Sequence, residues 1–193
     1  MATSIPFPIT LPASSVLGRL ALPQAGDAEA IPFAQLAAAL GISFLNSPIA
    51  KRKTANQSQA SNTTLANDND LLFAIAANEE WTAIFEIAAG AVLSTTGFKV
   101  AITAPSGSTL EVDAFFLTDA ATGGQFSGST TTSGANVLAN TPPAGANGVI
   151  HLFCWVLNGA TPGNVALQWA QNASSVTNLT FRKGSFMQAS RIA

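Results

Sequence analysis

The chain has 193 residues, of which 9% are charged and 48% hydrophobic, with a formal net charge of −2. Average soluble proteins carry about a quarter charged residues, so this composition supports no electrostatic grip on nucleic acid or on an anionic membrane surface. One cysteine, Cys154, excludes an internal disulfide framework and any multi-thiol metal site.

The opening stretch, MATSIPFPITLPASS, lacks a basic n-region and is broken by Pro6, Pro8 and Pro12, so it does not read as a secretory signal. The four Asn-x-Ser/Thr sequons, at Asn56, Asn62, Asn172 and Asn178, are then chance occurrences in a chain rich in these residues. Ala30 to Ala50 is uncharged and precedes Lys51-Arg52-Lys53, but Pro32, Gln35, Gly41, Asn46 and Pro48 interrupt it. A spanning helix needs about 20 predominantly apolar residues, so no membrane insertion is expected.

Residues 1–53 are expected to form an N-terminal arm and 54–193 a separate domain. Proline fixes φ and removes a ladder donor, which favours extended backbone in the arm. One short helix is expected from Pro32 to Leu40, with Phe33, Leu36 and Leu40 on one stripe and Gly41 as its stop. The Lys51–Lys53 triad reads as a solvated edge, in a polar linker or a first edge strand reaching Asn62.

Beyond Thr63 the apolar residues alternate with period two, as strands require. The inward sets are Leu71, Phe73, Ile75; Trp81, Ala83, Phe85, Ile87; Phe98, Val100, Ile102; and Leu110, Val112, Ala114, Phe116. Turn residues separate them, at Asn78-Glu79-Glu80 and at Pro105-Ser106-Gly107. Residues 120–148 read as a long loop with one short strand at most, around Val137-Leu138. Val149 to Leu157, a strand expected to be buried on both faces, and Val165 to Trp169 read as the central hairpin of the domain, turning at Thr161-Pro162-Gly163. Val176 to Phe181 and Ser185 to Ile192 supply two last strands. About eight short strands predict an all-β antiparallel sandwich or jelly roll.

No Asp, Glu, Lys or Arg lies between Asp119 and Arg182. Cores of homo-oligomer interfaces are depleted of charge, so the apolar hairpin is expected to meet another copy of the chain. Gln168, Trp169, Gln171, Phe153 and Trp155 are the candidate interface residues. A buried hairpin beside an exposed Ser/Thr-rich loop accounts for part of the same gap.

Catalytic signals are sparse. His151 is the lone histidine, expected to be a buried, hydrogen-bonded strand residue. It stands three residues from Cys154, which on a strand puts the two on opposite faces and argues against a dyad or a shared metal. Asn67-Asp68-Asn69-Asp70 is oxygen-rich but lacks the spacing and distal Glu of an EF-hand loop; Asx-turns ahead of a strand account for it. Glu111 and Asp113 share a strand face, but nothing around them builds the sugar cleft that a glycosidase carboxylate pair needs. No catalytic residue, cofactor or metal is expected.

In order along the chain, Asn62-Thr63-Thr64-Leu65, Asp68, Asp70-Leu71-Leu72-Phe73, Pro105-Ser106-Gly107, Leu167-Gln168-Trp169-Ala170-Gln171-Asn172 and Gly184-Ser185 resemble the pattern of a jelly-roll module in tailed-bacteriophage structural proteins. Ser15-Val16-Leu17-Gly18-Arg19, followed by Ala30-Ile31-Pro32 and Gln35-Leu36, resembles N-terminal stretches of phage fibre and tail proteins. The resemblance implies a trimer similar to the tumour necrosis factor fold, at the virion surface. It implies a head fibre or capsid decoration protein whose arm, through Phe33, Leu36 and Leu40, holds capsid or tail proteins. A short tail or neck fibre touching host glycans is the alternative within that class; a glycan-active enzyme or lectin is the alternative outside it.

Overall fold

The computed structural model describes residues 15–18, 29–32, 48–90, 96–118, 125–141 and 147–193. The chain divides into two compact units, Met1–Asn46 and Ser47–Ala193. In the first, β1 (Ser15–Gly18) pairs antiparallel with β2 (Glu29–Pro32), Val16 facing Ile31. The two N-terminal motifs that carry the phage resemblance are thus in part strand partners. Pro32 ends β2; the rest of the expected helix, with Phe33, Leu36 and Leu40, lies outside the described residues.

The second unit is an antiparallel β-sandwich. Its strands are β3 (Ile49–Arg52), β4 (Gln57–Gln59), β5 (Ala66–Ile75), β6 (Glu80–Gly90), β7 (Phe98–Thr103), β8 (Thr109–Thr118), β9 (Gln125–Thr130), β10 (Leu138–Asn140), β11 (Gly148–Leu157), β12 (Gly163–Ala170), β13 (Leu179–Phe181) and β14 (Phe186–Arg191). One sheet has the order β10-β7-β12-β5. The other runs β3-β14-β6-β11-β8-β9, with β13 and β4 joined alongside β6.

The pairings are nested. β8 pairs β9, β7 pairs β10, β6 pairs β11, β5 pairs β12, β4 pairs β13 and β3 pairs β14. The chain from β3 to β14 is therefore one long antiparallel ribbon, folded back between β8 and β9 and rolled so that its rungs fall in two sheets. That is the jelly-roll topology.

This order corrects the reading of β11 and β12 as a hairpin. β11 hydrogen-bonds to β6 and β8, whereas β12 hydrogen-bonds to β5 and β7 in the opposite sheet. The loop through Pro162 carries the chain from one layer to the other. Nor is β11 covered on both faces: Ile150, Leu152, Cys154 and Val156 point inward, while Val149 and Phe153 on the other face are 42% and 39% exposed.

The alternation read from sequence sets the core. Leu71, Phe73, Ile75, Phe85, Ile87, Val100, Ile102, Val112 and Phe116 are all buried between the layers. Three aromatic pairs bridge the sheets: Phe73–Trp81 at 5.4 Å, Phe98–Phe116 at 4.8 Å and Trp169–Phe181 at 4.2 Å between centroids. Such pairs add about 0.5–1.5 kcal/mol each beyond area burial.

Two further corrections concern the edges of the domain. Gln125–Thr130, expected within a loop, is strand β9; its one large apolar residue is Phe126, and its order comes from pairing with β8. Residues 49–53, expected in the arm, belong to the sandwich. Lys53 is not a solvated edge residue but is 1% exposed, with Nζ 2.6 Å from Asp68 Oδ2 and 2.9 Å from Gln57 Oε1.

Candidate functional site

The expected interface residues do not share one surface, and two of them are on none. Trp169 is fully buried between the sheets, stacked on Phe181, and its Nε1 donates to Asp68 Oδ2 at 3.1 Å. Gln171 is also fully buried. Its Nε2 donates to the carbonyls of Ser175 and Thr177, and its Oε1 accepts from the backbone N–H of Asn62 and Ser175. An amide with four bonds inside its own subunit has no capacity left for a partner. Gln168 is half-buried and spans to Asn67 of the neighbouring strand at 2.9 Å. Trp169 and Gln171 are therefore corrected to core residues of the protomer. The uncharged polar signature that suggested an interface belongs to loop stapling.

Phe153 and Trp155 lie elsewhere, on the outward face of β11, and their neighbours form the most unusual surface among the described residues. Cross-strand registers place Arg52, Phe186, Glu86, His151, Phe115 and Ser127 in one row across β3, β14, β6, β11, β8 and β9. The next row is Ala50, Gln188, Ile84, Phe153, Asp113 and Ser129. Phe115 is 51% exposed, Phe186 44% and Ile84 40%. On the far side of the first row, Val149 stands beside Leu117, which is 53% exposed. A layer that packs on nothing is normally polar on its outward face; this one is predominantly apolar through its middle.

The polar exception is central. His151 Nδ1 lies 2.6 Å from Glu86 Oε1, and both side chains are about one-third exposed. His151 is thus a partly exposed histidine bound to a carboxylate, which corrects its expected burial. The pair borders a groove of about 660 Å³ whose lining also includes Phe115, Leu117, Phe126, Val149, Gln125 and Ser127. Cys154 points the other way into the core, and burial pushes its thiol up to about 12. A neutral thiol across the sheet from the imidazole cannot be activated by it.

The acidic stretch 67–70 lies within β5, at a break in register where Leu72 faces Ala166 but Asn67 faces Gln168. Asp68 Oδ1 accepts from the backbone N–H of Asp70 and Leu71, the expected Asx-turn geometry. Its other oxygen takes Lys53 and Trp169. No group of three or more His, Cys, Asp or Glu side chains arranged to hold a metal occurs among the described residues. Glu111 and Asp113 share the outward face of β8, at the margin of the apolar rows. No helix among the described residues is long and apolar enough to cross a membrane.

No protein-family model and no curated protein matches the chain. Among solved structures it is similar to the VP2 subviral particle of infectious bursal disease virus, at 10% identity and a TM-score of 0.21, covering 94% of this chain and 47% of that one. The infectious bursal disease virus Gx strain structure gives 8% identity and a TM-score of 0.17, with 92% and 46% covered. The Gt strain structure gives 10% and 0.17, with 97% and 50% covered. The chain thus spans about half the length of the viral chains it matches. At these scores the likeness carries no functional argument, and the jelly-roll assignment rests on strand order.

Proposed function

We propose that the protein is a non-enzymatic virion structural protein: a homotrimeric head fibre or capsid decoration protein held to its particle by residues 1–46. The observation that carries this reading is the apolar outward face of the large sheet on a jelly roll whose own core is already complete. Contiguous exposed apolar surface of this kind marks an association site. It is support for assembly, and the ordered motifs similar to phage jelly-roll modules supply the virion setting. A short tail or neck fibre is the neighbouring reading, favoured by one feature: the groove beside Phe115 combines an aromatic wall with Glu86, His151, Gln125 and Ser127, chemistry suited to a host glycan.

The arm reading is tested by deletion. Removing residues 1–46 spares β3 and Lys53, and should leave a folded, soluble oligomer that no longer joins particles. A truncated protein that still decorates particles lacking the native chain would assign attachment to the jelly roll instead. Binding of a host polysaccharide to the groove, lost on Phe115→Ala, would move the assignment to a fibre.

A further inference from the structure

We propose that the outward face of the large sheet docks against a second copy of this chain in a fixed direction, with the Arg52 margin of one copy meeting the Asp113–Glu111 margin of the next. The inference rests on the assembly reading above and deepens it by naming the surface and its polarity.

The argument starts from the sheet order. Arg52 sits on β3 in register with Phe186, so it stands at the outward-facing position of the margin strand, and it is exposed. Glu111 and Asp113 occupy outward positions of β8, Glu111 exposed and Asp113 half-buried. None of the three forms an ion pair with another described residue. β3 and β8 are four strand steps apart, roughly 19 Å at a spacing near 4.8 Å. Between them lie Phe186, Ile84 and Phe153, with Gln188 and the mutually paired Glu86 and His151 among them, and Phe115 stands on β8 beside Asp113. Among the described residues, one face thus carries an unpaired cation on one side, two unpaired carboxylates on the other, and between them apolar side chains around the self-paired Glu86 and His151.

A partner of unrelated chemistry would need its own matching strip and charges. A second copy brings both already, because the surface that offers Arg52 also accepts it. Rim charges of opposite sign set register and suppress the wrong orientation, in which Arg52 would face Arg52 and the carboxylates each other. Repeated around a ring, this directional contact closes into a cyclic oligomer.

The test is a charge exchange in the full chain, read by sedimentation equilibrium, with circular dichroism to confirm folding. All three positions lie at the sheet surface, so the variants should fold. Arg52→Glu and Asp113→Arg should each weaken self-association about tenfold or more, and the double variant should recover most of it. Phe115→Ser with Phe153→Ser should leave a folded monomer. An oligomer that ignores both the charge changes and the serine pair would overturn this interface while leaving the assembly reading intact. Charge effects that add rather than cancel in the double variant would overturn the pairing of these two margins. A wild-type chain that stays monomeric at micromolar concentration would overturn the assembly reading itself, and this interface with it.

Discussion

Lys53 Nζ lies 2.6 Å from Asp68 Oδ2, with both side chains sealed from solvent. The pair ties the residue after the β3 margin strand to a strand of the opposite sheet. Asp68 receives four donors in all: Lys53, Trp169 Nε1 and the backbone N–H of Asp70 and Leu71. Lys53 has Gln57 Oε1 as a second acceptor at 2.9 Å and Asp70 Oδ2 farther off at 3.7 Å.

The two partners should therefore not cost the same to remove. Lys53→Met leaves a carboxylate still held by three N–H groups. Asp68→Ala leaves a buried ammonium with only Gln57 and the more distant Asp70, and strands an indole N–H and two backbone donors as well. Breaking a buried pair from one side costs about 3–5 kcal/mol. Urea unfolding should place Asp68→Ala at or beyond the upper end of that range and Lys53→Met at or below its lower end. Equal losses would show that the ion pair, rather than the donor set converging on Asp68, is what holds this corner.

Glu79 makes stability depend on pH. Its carboxylate accepts the backbone N–H of Ala76 at 2.7 Å and Trp81 Nε1 at 3.0 Å, and pairs with Arg191 at 2.9 Å. The Ala76 bond first, then Trp81 and Arg191, outweigh partial desolvation and hold Glu79 below its ordinary value of 4.5. A carboxylate with a lowered folded pKa stabilises the fold above its unfolded pKa and loses that contribution as pH falls through the folded one. Thermal unfolding should therefore separate wild type from Glu79→Gln at pH 7, by roughly 2–4 °C for each kcal/mol lost. The gap should shrink steadily below pH 4.5. A pH-independent gap would mean that charge plays no part at this site.

Cys154 gives a probe of global opening. The thiol is fully buried and held protonated by desolvation, with its pKa pushed up to about 12. The thiolate is the reactive form, so alkylation of the native protein at pH 8 should proceed only through unfolding, at a rate that follows denaturant concentration. Fast labelling of the folded chain would indicate a local opening of β11.

Asn158 should be among the costliest polar positions to change. Nδ2 donates to the carbonyls of Ala76 and Thr161 at 2.6 and 3.0 Å, Oδ1 accepts from Ser108 Oγ at 2.8 Å, and its backbone N–H meets the Glu79 carbonyl. One amide thus joins the β5–β6, β7–β8 and β11–β12 connections. Asn158→Ala removes three side-chain hydrogen bonds made by a buried amide, each worth about 0.5–1.5 kcal/mol net. A loss under 1 kcal/mol in urea unfolding would show that water replaces the amide at once.

Period-two alternation made the inward sets legible from the residues alone: Phe85 and Ile87 on β6, Val112 and Phe116 on β8, and Val100 and Ile102 on β7 are buried as their spacing requires. The Pro105-Ser106-Gly107 turn was equally local, since Gly107 takes a φ of 84° that favours glycine, and Ser108 N–H closes back on the Pro105 carbonyl. Pairing was not legible, because alternation states which face a residue takes and not which strand lies beside it. Two apolar runs joined by Thr161-Pro162-Gly163 look alike whether they pair or part into separate sheets. The nested partners, β12 with β5 and β11 with β6, are far apart in the chain and out of reach of any local signal, and they settle that the two runs part.

The same limit governed the site. Gln171 and Trp169 looked like interface residues because uncharged polar groups beside a large aromatic fit either a symmetry axis or a buried staple. Tertiary packing alone brings Ser175, Thr177 and Asn62 to the amide and Phe181 to the indole. Lys53 reads in sequence as the last of a basic triad, yet the chain returns Asp68 to it across the sandwich. Which side of each strand is apolar is a local property of residue order. Which apolar side ends up covered, and which is left facing outward on β6, β11 and β8, follows from how the long ribbon rolls.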